Sequence, residues 1–279
     1  MADALVAVSS RPGRRPAALW TGGALLTALV VLGLAGRWLL PDPDLPDYAA
    51  KLLGPGQGHL LGTDQAGRDL LARVAAGTWT TFGAALLVSL VSMLVGTVVG
   101  AASALEGSRW GDAVAALASR AADVALALPH LVVALAVVGA LGPGFWNLVL
   151  AMSATGWAPV ARLTGAYVAG AADRPDVLAA RMAGVPGWRT FRDHVLPGAL
   201  TRVLVVATLG LGQVVLGMAG LSFLGLGAQP PTAEWGQMLA ESRHDLLGAP
   251  WLLAGPGVAL LAAVAGVSLL ADGVRSRWG

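Results

Sequence analysis

The sequence predicts an all-α integral membrane protein with six transmembrane helices and both termini in the cytoplasm. Three observations lead to this prediction. Of the 279 residues, 56% are hydrophobic and only 12% are charged, whereas charged residues make up about 25% of a typical soluble chain. The mean hydropathy is +0.70. Long stretches of the chain also carry no charged residue, and such stretches are typical of membrane-spanning helices.

Five charge-free stretches are each long enough to cross the hydrocarbon layer, which takes about 20 residues. They cover residues 16–36, 74–105, 124–161, 203–233 and 246–271. The third stretch contains Leu141-Gly142-Pro143-Gly144, a turn-forming sequence, so it predicts two spans, at about 117–140 and 146–165. The first stretch follows several arginines as a signal peptide does, but its 21 residues exceed the usual apolar core of about 7 to 15 residues.

The distribution of charge predicts the orientation. When the spans alternate in direction, one side holds 13 basic and eight acidic residues, and the other holds five basic and eight acidic residues. The more basic side is expected to be cytoplasmic. The predicted organisation is therefore a cytoplasmic tail at 1–15, a first transmembrane helix at 16–39, an outer loop at 40–76, and a five-helix core at 77–277 with a cytoplasmic loop at 163–197.

The sequence offers no local signature of an enzyme, an ATP site or a metal site. The only lysine, Lys51, does not follow a glycine-rich phosphate loop. The absence of cysteine removes thiol nucleophiles and cysteine-based metal centres, and the four histidines are scattered without metal-ligand spacing. We therefore expect no catalytic residue, no resident metal and no cofactor in this chain. The net charge of only +2 also gives no reason to expect nucleic-acid binding.

Ionisable residues are nearly missing from the middle of the spans, which argues against a secondary transporter driven by an ion gradient. Asp123 is the main exception, and Arg120 precedes it by three residues. The spacing favours an ion pair between these two residues at a helix end. A gating or coupling role for Asp123 is the alternative.

The predicted cytoplasmic loop contains a short helix of its own. Pro175 is a favourable first residue, and Val177, Ala180 and Gly184 share one helical face. A second amphipathic stretch follows at 188–195. Two interpretations remain open from the pattern alone. The loop rests on lipid headgroups, or it is a docking helix for a cytoplasmic partner.

The segment Leu-Ala-Ala-Arg-Met-Ala-Gly at 178–184, followed by Pro197 thirteen residues after the glycine, resembles the coupling-loop signature of binding-protein-dependent ABC importer permeases. The family signature normally opens with Glu, where this chain has Leu178. The substitution leaves the helical geometry intact. It removes any ionic contact that the family's Glu would make.

Three further blocks resemble the peptide and nickel branch of these permeases, in particular the dipeptide-permease C and nickel-permease C type. They lie at residues 59–69, 221–227 and 231–236. The resemblance covers about residues 15–277 and implies the type I ABC importer permease fold. It also implies a multi-pass subunit of the cell membrane that forms a heterodimer with a second permease subunit.

The same resemblance implies two ATP-binding subunits and an extracytoplasmic solute-binding protein as further partners. ATP and Mg²⁺ would then bind only to the partner subunits, and this chain would be a transporter subunit and not an enzyme. Closure of the ATP-binding subunits would move the docked helix, which would tilt the spans between inward-open and outward-open arrangements.

The resemblance assigns roles to three sets of residues. The coupling set would contact the ATP-binding partner and consists of Asp176, Val177, Leu178, Ala179, Ala180, Arg181, Met182, Ala183 and Gly184. The gate set would lie near the translocation path and consists of Ser222, Phe223, Leu224 and Gly225. The outer-motif set consists of Gly62, Thr63, Asp64, Gly67, Arg68 and Asp69.

Local chemistry gives alternative interpretations of the residues on the outer side. Thr63 or Asp64 can cap a short helix, and Trp235 and Trp251 are expected to anchor the sixth span at the membrane interface. The tight turn after residue 221 is permitted at membrane depth where protein covers it or where it lines a cavity.

The expected cargo is nickel or a nickel chelate, or else di- and oligopeptides. Imidazole groups suit nickel, so His59 and His244 could attract the cation, although ordinary solvated loop residues would look the same in the sequence. Two other functional classes remain as alternatives. One is a secondary transporter, and the other is a membrane scaffold that transports nothing.

Overall fold

The computed structural model describes residues 15–56, 58–103 and 109–278, and these residues form helices joined by short loops, without a β-strand. Most of the predicted cytoplasmic tail, residues 1–14, lies outside the described residues. The helices of the described part are α1 (Arg15–Leu39), α2 (Leu70–Gly77), α3 (Ala84–Ala102), α4 (Arg109–Ala127), α5 (His130–Leu141), α6 (Phe145–Ala171), α7 (Pro175–Met182), α8 (Gly187–Thr190), α9 (Leu196–Phe223), α10 (Trp235–Ser242) and α11 (Trp251–Trp278). Two π-helical segments, Thr78–Gly83 and Phe191–Val195, join α2 to α3 and α8 to α9.

Among the described residues, four helical segments are long and apolar enough to cross a membrane. They are Ala17–Leu39, Leu70–Ala102, Gly187–Phe223 and Trp251–Gly273. The pair formed by α4 and α5 would make a fifth if it is one broken span. Helix α6 has 27 residues, a length of about 40 Å at 1.5 Å per residue, but it is less apolar than these segments.

The predicted span at about 117–140 is not one continuous helix. Helix α4 ends at Ala127 and α5 begins at His130, and the two helices meet at an angle of 90°. Pro129 lies at the break and cannot donate a backbone hydrogen bond. It also disfavours the helical conformation at Leu128.

Helix α2 begins within the segment predicted as an outer loop. The side chain of Asp69 accepts a hydrogen bond from the backbone N–H of Ala72 over 2.8 Å and caps the helix. Residues 70–76 are therefore the first turns of a long helical segment that continues into α3. The short helix that Thr63 or Asp64 was expected to cap does not form, because residues 63–69 are not helical, and the helix begins only after Asp69.

Small residues allow the helices to approach each other closely within this chain. A Cβ atom on Gly96 of α3 would lie 2.5 Å from Cβ of Val160 on α6, and one on Gly22 of α1 would lie 2.7 Å from the carbonyl oxygen of Gly266 on α11. Small residues at helix crossings are the usual means of tight packing in membranes. At these two crossings, glycine therefore serves packing inside the bundle.

Asp123 has a different partner from Arg120, which the sequence spacing predicts. The carboxylate of Asp123 on α4 forms an ion pair with the guanidinium group of Arg162 on α6, and both side chains are about half exposed. The predicted pair with Arg120 is replaced because α4 packs against α6. The sequence spacing could not reveal this contact between helices.

The two ends of the bundle carry different features. We use "motif end" for the end that carries residues 58–69 and α10, and "α7 end" for the end that carries α7 and α8. At the motif end, the backbone N–H of Gly144 donates to the carbonyl oxygen of Leu226 over 3.3 Å, so the adjoining ends of α6 and α9 lie at the same level.

Candidate functional site

Helix α7 has one face packed against the bundle. Val177 and Ala180 are buried. Val177 belongs to a small apolar cluster at the α7 end, which also contains Ala171, Val195, Tyr167, Val168 and Phe191. These partners lie on α6 and on the π-helical segment before α9. Burial of this apolar surface, worth about 25 cal/mol per Å², holds α7 between the two long helices.

The start of α7 is held by polar contacts. The guanidinium group of Arg174 makes two hydrogen bonds to the carboxylate of Asp176, at 3.1 and 2.8 Å, and a third to the hydroxyl oxygen of Tyr167 at 2.9 Å. Arg202 of α9 lies over the ring of Tyr167 at 4.8 Å, within cation–π distance. Residues of α6, α7 and α9 therefore meet around Tyr167.

The end of α7 is a Schellman motif. Gly184 has a φ of +75°, its N–H donates to the carbonyl oxygen of Arg181, and the N–H of Val185 donates to the carbonyl oxygen of Ala180, both over 3.0 Å. A residue without Cβ is favoured at this left-handed position. The glycine that closes the predicted coupling helix therefore has a structural role in ending it.

The other face of α7 is exposed and partly apolar. Leu178 and Met182, one helical turn apart, are 42% and 89% exposed, and Trp188 of α8 is also exposed. The guanidinium groups of Arg189 and Arg192 lie 5.2 and 5.3 Å from the centre of the Trp188 ring. We use "α7 surface" for the exposed residues Leu178, Ala179, Arg181, Met182, Ala183 and Trp188.

The gate set occupies the end of α9. Gly225 has a φ of +83°, its N–H donates to the carbonyl oxygen of Ser222 over 2.8 Å, and the N–H of Leu226 donates to the carbonyl oxygen of Leu221 over 3.1 Å. This is a second Schellman motif. Ser222 is buried, whereas Phe223 and Leu224 are exposed. Termination of α9 is sufficient to explain this turn. A gating role stays a prediction.

The outer-motif set folds into a compact loop at the motif end. The hydroxyl of Thr63 accepts a hydrogen bond from the N–H of Leu53 over 2.8 Å and donates one to the carbonyl oxygen of Ala50. The carboxylate of Asp64 accepts from the N–H groups of Ala66 and Arg68, over 2.8 and 2.9 Å. Gly62 and Gly67 complete the turns through backbone hydrogen bonds to Leu70 and Asp64.

Two buried arginines connect this loop to α10. Nε of Arg68 lies 2.7 Å and Nε of Arg73 lies 3.3 Å from a carboxylate oxygen of Asp64. Both guanidinium groups also lie 3.8 Å from the carboxylate of Glu241 on α10. Arg73, only 1% exposed, makes a further ion pair at 3.6 Å with Asp44. The sequence motif indicated Arg68 but gave no indication of Arg73, which lies outside the motif.

His59 is also part of this loop. Its Nδ1 lies 2.8 Å from the carboxylate of Asp69, whereas His244 contacts the guanidinium group of Arg243 over 3.2 Å. Across the described ranges, no three His, Asp or Glu side chains come together in a group that could hold a metal ion.

The two tryptophans expected to anchor the sixth span differ in burial. Trp235 is 0% exposed, and its indole N–H donates to the carbonyl oxygen of Val74 over 2.9 Å. The ring of Trp251 packs against Gly62 and is only half-buried. The prediction that Trp235 anchors the span at the membrane interface is therefore wrong. Helix α10 folds back onto α2 and α9 and covers the indole.

Glu234 is a buried carboxylate to which the sequence motif assigned no role. It accepts hydrogen bonds from the N–H groups of Gly236 and Gln237, over 3.0 and 2.9 Å, and from the hydroxyl of Thr81 over 2.9 Å. Burial raises the pKa of Glu234, and these hydrogen bonds oppose that rise. The residue joins α10 to the π-helical segment Thr78–Gly83.

A cavity of about 570 Å³ lies between α3, α6, α9 and the break between α4 and α5. Most of the lining is apolar. The polar side chains in the lining are Ser89, Ser92, His130, Thr155 and Gln213. None of the predicted gate residues is among the lining residues in the described part of the chain.

Comparison with known proteins consistently identifies membrane components of transport systems as similar to this chain. A family model described as "Binding-protein-dependent transport system inner membrane component" matches residues 96–277. The chain is 35% identical over 254 residues to the nickel transport system permease protein of Escherichia coli strain K12, with 91% of this chain and 90% of that protein covered.

Two relatives that are named for other cargoes are similar to the same extent. The probable D,D-dipeptide transport system permease protein of Escherichia coli strain K12 is 34% identical over 256 residues, which cover 91% of this chain and 85% of that protein. The di/tripeptide transport system permease protein of Pseudomonas aeruginosa strain UCBPP-PA14 is 37% identical over 262 residues, with the same coverage of 91% and 85%.

Proposed function

This chain belongs to the family of binding-protein-dependent transport system inner membrane components, in its peptide and nickel branch, and from this premise we propose that it is the permease subunit of an ATP-driven importer whose ATP-binding partner docks on the α7 surface. The chain is a multi-pass inner membrane protein and a transporter component, not an enzyme. The two-faced helix α7 is the observation that supports the docking site.

The proposed topology has six spans with the α7 end in the cytoplasm. Helix α6 supplies the span that the four apolar segments and the α4–α5 pair leave missing. It packs against α3, α4, α5 and α9, so its surface can be less apolar than that of a helix surrounded by lipid. The excess of basic residues on the side that holds α7, 13 against five, supports this orientation.

Helix α7 is placed to transmit motion to both walls of the cavity. It is joined to α6 through Tyr167 and Arg174, and it leads through α8 into the segment Gly187–Phe223. Both α6 and α9 line the cavity. In the proposed mechanism, ATP-driven closure of the partner subunits moves α7, and α6 and α9 tilt with it and change access to the cavity.

The proposed assembly contains a second permease subunit, two ATP-binding subunits and an extracytoplasmic solute-binding protein. ATP and Mg²⁺ would be held by the ATP-binding subunits. Because Leu178 and Met182 present an apolar surface flanked by arginines, we expect the partner's groove to be apolar with acidic residues at its rim.

The proposed cargo is nickel, or a nickel chelate, or a di- or oligopeptide. The names of similar permeases include both kinds of cargo, so direct uptake measurements must separate them. A secondary transporter and a scaffold without transport activity are the alternative functions. Neither of them requires an ATP-binding partner to dock on the exposed apolar face of α7.

Co-purification of the importer tests the proposed docking site. In the double variant Leu178→Asp and Met182→Asp, the ATP-binding subunits should separate from the membrane subunits, because two charges would lie in an apolar contact. The matched control is Leu60→Asp, which changes a leucine that is 75% exposed at the motif end. Retention of the ATP-binding subunits by the double variant, or their equal loss from the control, would contradict the proposed docking site.

A further inference from the structure

A smaller pocket, of about 500 Å³, lies at the motif end between the last turns of α1 and the segment that begins with α2. Its volume falls within the range of about 300–1,000 Å³ that is usual for ligand sites. Residues 40–43, which follow α1, also line it. In the described part of the chain, none of its lining residues lines the larger cavity between α3, α6 and α9, so this pocket is separate from the proposed pathway.

The lining of the pocket changes from charged to apolar along the axis of α1. Arg37 lies in the last turn of α1, and Asp42 follows the end of the helix. Gly33 lies six residues before that end, about 9 Å deeper at 1.5 Å per residue. A Cβ atom on Gly33 would lie 3.0 Å from Nε1 of Trp79, so the tryptophan ring is at this deeper level. Charge above an apolar floor matches the boundary between lipid headgroups and acyl chains.

The two charged side chains of the pocket, Arg37 and Asp42, have opposite charges but do not pair. Within the described ranges, no ion pair involves either of them. Both are exposed, and the carboxylate of Asp42 accepts a hydrogen bond from the N–H of Asp44 over 2.9 Å. Arg37 also offsets the dipole at the end of α1, but its N–H donors remain available. One pocket therefore offers both a cation and an anion to a ligand.

The indole N–H of Trp79 is a further free donor in the lining. The residue is 47% exposed, and this N–H has no acceptor among the residues that the structure describes. In contrast, the indole groups of Trp157, Trp235 and Trp251 donate to carbonyl oxygens. Tryptophan is frequent at the membrane interface, where its ring is apolar and its N–H reaches polar groups. The ester and phosphate oxygens of a phospholipid are acceptors at this depth.

The pocket lies beside a helix surface that lipid can reach. A smaller share of α1 is buried than of the other three apolar segments in the described ranges. Helix α1 packs against α11, α2 and the π-helical segment Thr78–Gly83, while Leu34, Trp38 and Leu39 near its end are exposed. An exposed apolar surface on a transmembrane helix is compatible with acyl chains.

We propose that this pocket binds a phospholipid that carries both a phosphate and a free ammonium group, the chemistry of phosphatidylethanolamine. Arg37 donates to the phosphate, because a guanidinium group matches phosphate oxygens in geometry and charge. The carboxylate of Asp42 accepts from the ammonium group, and the acyl chains lie along Gly33 and Trp79. Inorganic phosphate shares only the contact with Arg37. The site goes beyond the proposed function, since it depends neither on the cargo nor on the ATP-binding partner.

Photolabelling of the purified importer in detergent tests this site. The probe is phosphatidylethanolamine with a diazirine near the carboxyl end of one acyl chain, and mass spectrometry identifies the labelled segment, which should lie within residues 70–83. Arg37→Gln should raise the half-saturating concentration of the probe about tenfold, the equivalent of one lost charge-assisted hydrogen bond. The matched control is Arg243→Gln, which changes an exposed arginine at the motif end outside the pocket lining and should have no effect.

Competition by unlabelled lipids tests the role of Asp42. Phosphatidylethanolamine should displace the probe at about a tenth of the concentration that phosphatidylglycerol requires, because phosphatidylglycerol has no ammonium group. In Asp42→Asn, the two lipids should compete equally. Equal competition in the unmodified importer would overturn the class of lipid. Displacement by inorganic phosphate as effective as that by lipid would overturn the choice of a lipid ligand.

Two further results would overturn the site. Equal labelling of Arg37→Gln and the unmodified importer would show that Arg37 only reaches headgroups in general. Labelling that is missing from residues 70–83 of the assembled importer would show that another subunit covers the pocket. Both variants change exposed side chains, so they should keep the melting temperature of the unmodified importer. Failure of the importer to take up nickel or peptide would contradict the proposed function and would leave these labelling results unaffected.

Discussion

The hydroxyl group of Thr81 donates a hydrogen bond to the buried carboxylate of Glu234 over 2.9 Å. The same hydroxyl oxygen accepts a hydrogen bond from the N–H of Trp235 over 3.0 Å. Thr81 lies in the π-helical segment before α3, and Glu234 lies at the start of α10. This pair therefore joins elements that are about 150 residues apart in the sequence and closes the motif end of the bundle.

The stability contributed by Glu234 should depend on pH. Burial raises its pKa above the ordinary value of 4.5, so the native state binds this proton more tightly than the unfolded state does. The resulting stabilisation is complete below the ordinary pKa and is lost as the pH rises through the higher native pKa. The melting temperature in detergent should fall across this interval.

Two substitutions isolate that effect. Glu234→Gln resembles the protonated carboxyl group, so it should fold and should remove the part of the pH dependence that Glu234 causes. Glu234→Leu leaves three donors without an acceptor, and it should destabilise the protein by about 3 kcal/mol or more. Identical pH profiles for the unmodified protein and Glu234→Gln would contradict this explanation.

The stability of the motif end should depend on the ion pairs that Asp64 makes with its two buried arginines. Asp64→Asn removes the charge that faces Arg68 and Arg73, and breaking a buried pair from one side costs about 3–5 kcal/mol. The matched control is Asp44→Asn, which removes a half-exposed partner of the same Arg73 and should cost about 1 kcal/mol or less. Thermal unfolding in detergent measures both. Equal losses would show that burial does not determine the effect.

Close contact between α3 and α6 should make Gly100 intolerant of even one methyl group. A Cβ atom there would collide with the carbonyl oxygen of Ala161, so Gly100→Ala should destabilise the bundle by about 1–3 kcal/mol. Gly139 of α5 has open space around it, and Gly139→Ala should be neutral or stabilising by up to about 1 kcal/mol. A destabilisation of the same size in both variants would contradict the proposed packing.

The end of α7 should be sensitive to the same small change. Gly184→Ala places a side chain at a φ of +75°, which costs about 1–2 kcal/mol. The importer with this altered α7 should move less cargo for each ATP that its partner subunits hydrolyse. Gly187→Ala adds the same methyl group three residues away, with open space around it. Its ratio of transported cargo to hydrolysed ATP should match that of the unmodified importer. Unchanged transport by Gly184→Ala would refute the role of this helix end in coupling.

The sequence predicted the features that a single short segment determines. The turn expected at Gly142-Pro143-Gly144 separates α5, which ends at Leu141, from α6, which begins at Phe145. The short helix expected from Pro175 is α7. In both cases, proline and glycine impose a backbone conformation without help from distant residues.

Features that depend on packing between distant segments could not be predicted. The partner of Asp123 is on another helix, and Trp235 is buried only because α10 folds back onto the bundle. Pro129 was visible in the sequence, but proline is tolerated within many membrane helices, so its presence did not predict a bend of 90°. The cavity beside this bend was consequently missed.

The central claim is that this chain supplies the pathway and the coupling helix, and that its partners supply the energy. The most direct test is uptake into sealed vesicles that contain the two permease subunits, with the solute-binding protein outside, with or without the ATP-binding subunits and with ATP or a non-hydrolysable analogue inside. We expect concentrative uptake of nickel or dipeptide only when both the ATP-binding subunits and hydrolysable ATP are present. Uphill accumulation by vesicles that lack the ATP-binding subunits would contradict the claim.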